Sequence, residues 1–217
     1  MNRITIKLHI LCLVLVLSIA GNAFALSETE IELTGIKGEV GILQPGSTEW
    51  IPVAETTILG AGSRIKTIGE GSAATLKFYD GSTIEIEKGS NVGIQEIVES
   101  VEQSGGRIVL DVEMGNINGD FNKGPASSSY EILTPVATCD IPGTLVHVYV
   151  TDEYVTIQVV EGTVIVKNLL NGVEHTISTG ETITIRIDIE ALGFTPEEGE
   201  LEIEVFTVGP EDPATKT

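Results

Sequence analysis

Basic residues are scarce in this chain. Twelve Lys and Arg stand against 32 Asp and Glu, a formal net charge of −20 over 217 residues. Nucleic-acid binding draws its affinity from Lys and Arg neutralising phosphates, so that class of partner is excluded. The same imbalance argues against an anionic membrane surface. Cysteine is nearly absent, at two residues. Cys12 lies in the first segment, which leaves Cys139 without an internal disulfide partner in an exported chain. Cys139 reads as a small buried apolar residue. Aromatics make up 5% of the chain, with one tryptophan, which is little for a module that reads sugars by stacking. Beyond the first segment the histidines are His147 and His175, and no G-x-S-x-G elbow or zinc-ligand spacing accompanies them. Gly105-Gly106 leads into a strand and not into the helix a phosphate loop requires. Carboxylates are so many that some pair falls at any chosen distance, so a glycosidase-like pair carries no information. Asp152-Glu153 and Asp188-Ile189-Glu190 offer oxygens but no D-x-[DN]-x-[DN]-G calcium loop. A non-enzymatic chain is expected, with no catalytic residue, no cofactor and no metal.

Hydrophobic residues reach 41%, enough for a core. The only long apolar run, Leu8 to Ala20, follows Arg3 and Lys7 and precedes Ala23-Phe24-Ala25. It is shorter than the ~20 residues that span a bilayer, so residues 1–25 read as a cleaved signal peptide and the mature chain has no transmembrane segment. The expected location is therefore outside the cytoplasm: periplasm, cell surface or medium.

The remainder alternates with a period of two. Thr83 to Glu87, Val146 to Val150, Val155 to Val159, Ile183 to Ile189 and Leu201 to Val205 place apolar side chains on one face and polar ones on the other. Val, Ile and Thr dominate, as a pleated surface favours. Asp80-Gly81 and Asn171-Gly172 mark tight hairpins, and further glycines punctuate the chain at short intervals. Ile94 to Gln103 has partial helical spacing, but its branched residues predict a strand or at most one helical turn. The pattern predicts an all-β protein of many short strands in a roll or sandwich, jelly-roll or solenoid-like, with little or no helix after the signal peptide. Phe121 to Ser129 is the clearest loop and splits the strand-rich region in two. The expected organisation is a signal peptide at 1–25, one all-β domain at 26–195 and an acidic tail at 196–217 with a last strand at 201–208. Trp50, beside a proline turn, reads either as a plug at one end of a β core or as an exposed contact residue.

One ordered series of short motifs resembles the FecR domain, the extracytoplasmic domain of iron-dicitrate sensor regulators. It runs through Gly38-Glu-Val40, Gln44-Pro-Gly-Ser47, Trp50, Gly62-Ser-Arg-Ile65-Lys-Thr67, Gly71-Ser-Ala-Ala74 and Leu76-Lys-Phe-Tyr-Asp80-Gly-Ser82. It continues through Gly115, Ile132-Leu-Thr134-Pro135-Val-Ala137, Ile141-Pro142-Gly143-Thr144, Glu161-Gly162 and Gly180-Glu181. The resemblance implies a β-rich roll or sandwich and an exported interaction module, with Thr134, Pro135, Gly143, Thr144, Glu161, Gly162, Gly180 and Glu181 as structural motif residues. It carries over no iron ligand. The family commonly has arginine where this chain has Pro142, so an arginine-mediated contact is lost there. A signal peptide stands where the family's sensor regulators have a membrane helix. The expected partner is an envelope protein or polymer. The rival readings are a carbohydrate-binding sandwich using Trp50, a hydrolase with paired carboxylates, and a ligand-responsive partner of a membrane signalling protein.

Overall fold

A computed structural model describes residues 30–98, 106–123 and 128–187, with the backbone of 204–207. The predicted signal peptide, Gly105, the centre of the Phe121–Ser129 loop and most of the tail lie outside the described residues.

Among the described residues there are fifteen strands and no helix. The first seven are β1 (Ile31–Leu43), β2 (Trp50–Val53), β3 (Thr57–Leu59), β4 (Arg64–Lys77), β5 (Thr83–Ile86), β6 (Asn91–Val98) and β7 (Arg107–Asp120). The rest are β8 (Ser129–Leu133), β9 (Ala137–Ile141), β10 (Leu145–Val150), β11 (Tyr154–Glu161), β12 (Thr163–Asn168), β13 (Glu174–Ser178), β14 (Glu181–Arg186) and β15 (Glu204–Thr207).

Three strands are far longer than the usual five or six residues: β1 has 13, β4 and β7 have 14 each. Each is bent, and its two halves pair with different neighbours. The second half of β1 pairs with β2, and its first half with β3. The first half of β4 pairs with β6, and its second half with β5. In β7 the first half lies between β6 and β8, and the second between β5 and β10. Two layers result. The first runs β2-β1-β4-β6-β7-β8-β9-β12-β13 and the second β3-β1-β4-β5-β7-β10-β11-β14-β15. Bent strands shared between layers make the sandwich one continuous sheet.

The bends fall on glycine. In β7 the bend is Gly115, with φ at 107°. A Cβ there would lie 2.3 Å from the Cα of Ser90, so only glycine fits both the dihedral and the approach. The alternation written in the sequence fills the space between layers. Val146, Val148, Val155, Ile157, Val159 and Ile183 are all fully buried in one contiguous core. Each such side chain stabilises the fold by about 1.5–3 kcal/mol relative to its exposed state. Tyr130 closes one part of that core, with Phe78 at 5.2 Å edge-on and Phe121 at 4.6 Å.

The hairpins at Asp80-Gly81 and Asn171-Gly172 form as expected, and the described part of the helical-looking segment, Ile94 to Val98, is strand β6. The Phe121–Ser129 connection does not separate two halves. It returns the chain so that β8 pairs in parallel with the first half of β7, and the sheet continues across it. The predicted last strand is β15, which pairs with β14 through Glu204 to Thr207.

Candidate recognition site

The motif residues sit where the chain turns a corner, at the β8–β9 hairpin or between the layers. Thr134 is buried and closes the β8–β9 hairpin: its Oγ1 donates to the Ala137 carbonyl at 2.9 Å and accepts from the Ala137 N–H at 3.0 Å. Pro135 occupies the exposed tip of that turn. Gly143 and Thr144 turn the chain from β9 into β10. Thr144 is fully buried, its hydroxyl donating to the Thr163 carbonyl at 3.0 Å and its carbonyl accepting from the Phe121 N–H at 3.0 Å. Gly162 turns β11 into β12. A Cβ there would meet Thr144 Cγ2 at 3.2 Å, so the two corners stack closely. The Gly162 N–H donates to Thr179 Oγ1 at 3.0 Å, and the Gly180 N–H donates to the Val159 carbonyl at 2.8 Å. Successive corners are thereby linked into a spine along one edge of the sandwich. Glu161 is exposed on it and pairs with Lys123 at 2.8 Å, and that hydrogen bond, with the charge behind it, lowers its carboxyl from the ordinary range. Pro142, in place of the arginine, is exposed on the same spine.

A second polar centre forms around Asp80, in the turn between β4 and β5. Its carboxylate accepts from the Ser82 N–H at 2.9 Å, the Tyr130 hydroxyl at 2.9 Å and the Ser128 N–H at 3.0 Å. Tyr79 hydrogen-bonds to Ser128 and accepts from the Gly106 N–H at 2.9 Å. Asn122 donates to the Asp80 carbonyl at 2.7 Å. Burial, reinforced by the Asp80 charge, pushes the Tyr130 phenol above its ordinary range, so it remains a donor at any physiological pH. This centre anchors both ends of the β7–β8 connection.

The outer face of the first layer carries long side chains lying flat. Val40 and Ile42 point into the core, so Gly41 and Leu43 face outward, with Trp50 opposite Leu43 on β2. The Trp50 ring leans across Gly41, with Cε3 3.5 Å from where a Cβ would sit. It is 37% exposed, which corrects the expectation of a core plug: β2 is an edge strand, and an outward position there has no second layer to cover it. Lys66, opposite Gly41 on β4, holds its Nζ 5.9 Å from the ring centroid. Arg64 lies over Gly93 in the same manner and binds Asp111 at 2.9 Å and Glu113 at 2.8 Å. Asn91 accepts from Arg64 and donates to Glu113. None of these partners is visible in the sequence, because each lies across a strand register that only the fold supplies.

Two buried groups complete the picture. Cys139 is fully buried and unpaired, and burial with the Glu131 charge pushes its thiol up to about 12. His175 is not a plain surface residue. It sits opposite Val166 on β13, half-buried, with its Nε2 enclosed and unpartnered, as is the Nδ2 of buried Asn168. His147 is half-exposed on β10. Among the described residues no group of three or more His, Cys, Asp or Glu gathers as a metal site would require, and no helix is long and apolar enough to cross a membrane.

Two crystal structures of a candidate anti-sigma factor from Parabacteroides distasonis are similar to 55% of this chain, at 16% and 15% identity and a TM-score of 0.45 each. The chain spans about half of their length, 53%. No curated protein matches. The FecR protein family matches residues 63–165, a narrower span than the motif series: Trp50 before it and Gly180-Glu181 after it fall outside. The matched residues run from just before β4 into β12, and over that span the chain is similar to the FecR protein family.

Proposed function

We propose that this FecR-like domain is a non-enzymatic recognition module, exported to the cell envelope, that binds a protein partner by accepting one of its strands. The observation that carries this reading is the outer edge of β13. Edge strands invite pairing, and proteins blunt them. Here β2 carries Pro52, β3 has three residues and β15 four. By contrast, β13 has five residues with neither proline nor lysine, and β12 is its only partner among the described residues. The Ser178 N–H turns away from β12, since it donates to the Glu181 carboxylate at 2.7 Å. By the period of two, the Thr176 N–H also points outward. Nearby Ile165, Leu169 and Val173 are exposed, giving an incoming strand apolar contacts.

The test is capture from envelope extracts on immobilised protein, compared with Thr176→Pro. Proline removes an outward donor without breaking the ladder to β12, so the fold should persist while capture is lost. Equal capture by both proteins, or no captured protein at all, overturns the reading. A signalling role, in which a separate membrane protein passes the event inward, is part of the same proposal and predicts that the captured partner is such a protein.

A further inference from the structure

The open edge of β13 is matched to itself. Three observations meet there. First, the Asn168 N–H donates to the Val173 carbonyl at 2.9 Å, and Val166 and Val164 stand opposite His175 and Ile177. Antiparallel pairs bond at alternate residues, so the odd-numbered residues of β13 spend their backbone groups on β12. Glu174, Thr176 and Ser178 turn theirs outward, and the Ser178 N–H is already given to the Glu181 carboxylate. The outward donors that remain are those of Glu174 and Thr176. Second, a copy of β13 laid antiparallel about Thr176 overlaps all five residues and offers each of these donors an acceptor. The Thr176 N–H meets the Thr176 carbonyl of the other copy, and the Glu174 N–H meets the Ser178 carbonyl. Third, the side chains agree with that register. Exposed Ile165 stands opposite exposed Thr176, so the outer face would carry Ile165, Thr176, Thr176 and Ile165 in one row of branched residues. Glu174 has Lys167 opposite it on β12 and would face serine across the new pair, so no carboxylate meets a carboxylate.

We infer that β13 pairs with β13 of a second copy of this chain, across a two-fold axis at Thr176, and that this homodimer covers the edge until an envelope strand displaces it. The inference rests on the reading of β13 as an open edge and names its resting occupant. A two-fold contact of this kind is closed, so it joins the first layers of two molecules into one sheet and goes no further. Charge sets its strength. Each copy carries a formal net charge of −20, and the two repel. Contact is confined to a stretch where the one carboxylate on β13 stands opposite a lysine. The dimer is therefore weak and is favoured by salt. A basic strand from another protein would show the opposite salt dependence, because attraction to the acid excess is screened.

The experiment follows the full chain by sedimentation over a range of concentrations, at low and high salt. The expected result is a reversible monomer–dimer equilibrium that tightens as salt is added. Thr176→Pro removes the central donor from both copies and should weaken the dimer by about tenfold or more. Thr176→Lys is the second variant. Its side chain is exposed, so the circular dichroism should not change, while two ammonium groups meeting at the axis should weaken the dimer at least as much. Cross-linking then reads the register, in a Cys12→Ser background with Cys139 left in place because it is buried. Facing residues in a bonded antiparallel pair lie about 5.5 Å apart, within disulfide reach, so Thr176→Cys should form a covalent dimer under mild oxidation. Glu174→Cys and Ser178→Cys should each fail to link alone, since the two copies of each position lie about 13 Å apart, but should link when mixed. A parent chain that stays monomeric at every concentration overturns the inference and leaves the capture of an envelope strand standing. A dimer unchanged by Thr176→Lys, one that weakens as salt is added, or Glu174→Cys linking to itself as readily as Thr176→Cys also overturns it. A dimer with the expected register, from a chain that captures no envelope protein, supports the inference and sinks the earlier reading instead.

Discussion

Gly115 and Gly172 make a paired test of how the sandwich is bent. Both have positive φ, 107° and 73°. An alanine at Gly172 would meet nothing within 4 Å. Its cost is then the left-handed backbone alone, about 1–2 kcal/mol, less the ~0.4–1 kcal/mol that alanine returns by restricting the unfolded chain. Gly172→Ala should therefore destabilise by about 0.5–1 kcal/mol. At Gly115 the new Cβ would fall 2.2 Å from Ser90 Oγ and 2.3 Å from Ser90 Cα. The second of these is backbone, so no rotamer relieves it. Ser90 must move, and its hydroxyl donates to the Glu87 carbonyl at 2.7 Å and accepts from the Asn116 N–H at 3.1 Å. Overpacking adds about 1–3 kcal/mol and a lost hydrogen bond about 1 kcal/mol more, so Gly115→Ala should cost about 3–5 kcal/mol. In urea, at an m-value of about 1–3 kcal/mol per molar, the midpoint should fall by more than about 1 M, against a few tenths for Gly172→Ala. The slope should stay constant in both, because neither change alters the surface exposed on unfolding. Adding Ser90→Gly to Gly115→Ala removes the Oγ and Cβ contacts but not the Cα one, so the double variant should recover part of the loss. Equal midpoints for the two alanine variants would refute the reasoning, since they would show that the dihedral and not the close approach makes Gly115 necessary.

Three further outcomes follow from the polar groups. Tyr130→Phe removes the buried hydroxyl that donates to ionised Asp80, and should lower stability by about 1.5–3 kcal/mol in urea unfolding; a variant as stable as the parent would mean the hydrogen bond adds nothing. Cys139, fully buried with its thiol pushed up to about 12, should stay unmodified by a thiol reagent in the native state and react once urea unfolds the chain; prompt native labelling would refute its burial. Glu161 has its carboxyl lowered by Lys123, so its contribution is present above the carboxyl's unfolded value and lost as pH falls through the folded one; Glu161→Gln should remove that small acid-side dependence, and identical pH profiles would sink the assignment.

Much of the sandwich was legible because it depends on periods that the sequence writes locally. The Val146, Val148, Val150 alternation fixes which face of β10 is buried without reference to any other strand. The Asp80-Gly81 and Asn171-Gly172 turns likewise fix their hairpins from two residues each. The corner residues could be named in order, but not their stacking, because Thr144 and Gly162 approach through the fold and not through spacing. The parallel pairing of β7 with β8 was illegible for the same reason: a long loop is equally consistent with a boundary and a return. Trp50 shows the limit most clearly. Its neighbours in sequence are Glu49 and Ile51, while its neighbours in space are Gly41 and Lys66, set by the β1–β2 and β1–β4 registers.

The acid excess takes on a sharper meaning once the registers are known. Carboxylates on the outer faces are not simply spread over solvent. Glu87 accepts from the amides of both Asn116 and Asn118 at 2.7 Å, and Asp111 and Glu113 share Arg64. Glu96 and Glu131 share Arg107. Exposed pairs of this kind contribute about 0–1 kcal/mol each, so they do little for stability. They commit Arg64, Lys88, Arg107 and Lys123 to internal partners, while Lys37, Lys66, Lys77, Lys167 and Arg186 form no ion pair among the described residues. Lys66 lies between Gly41 on β1 and Asn91 on β6, and holds its ammonium 5.9 Å from the Trp50 ring centroid. The registers thus pair some bases and leave others exposed, so the acid excess itself, and not its pairing, sets the sign of this surface.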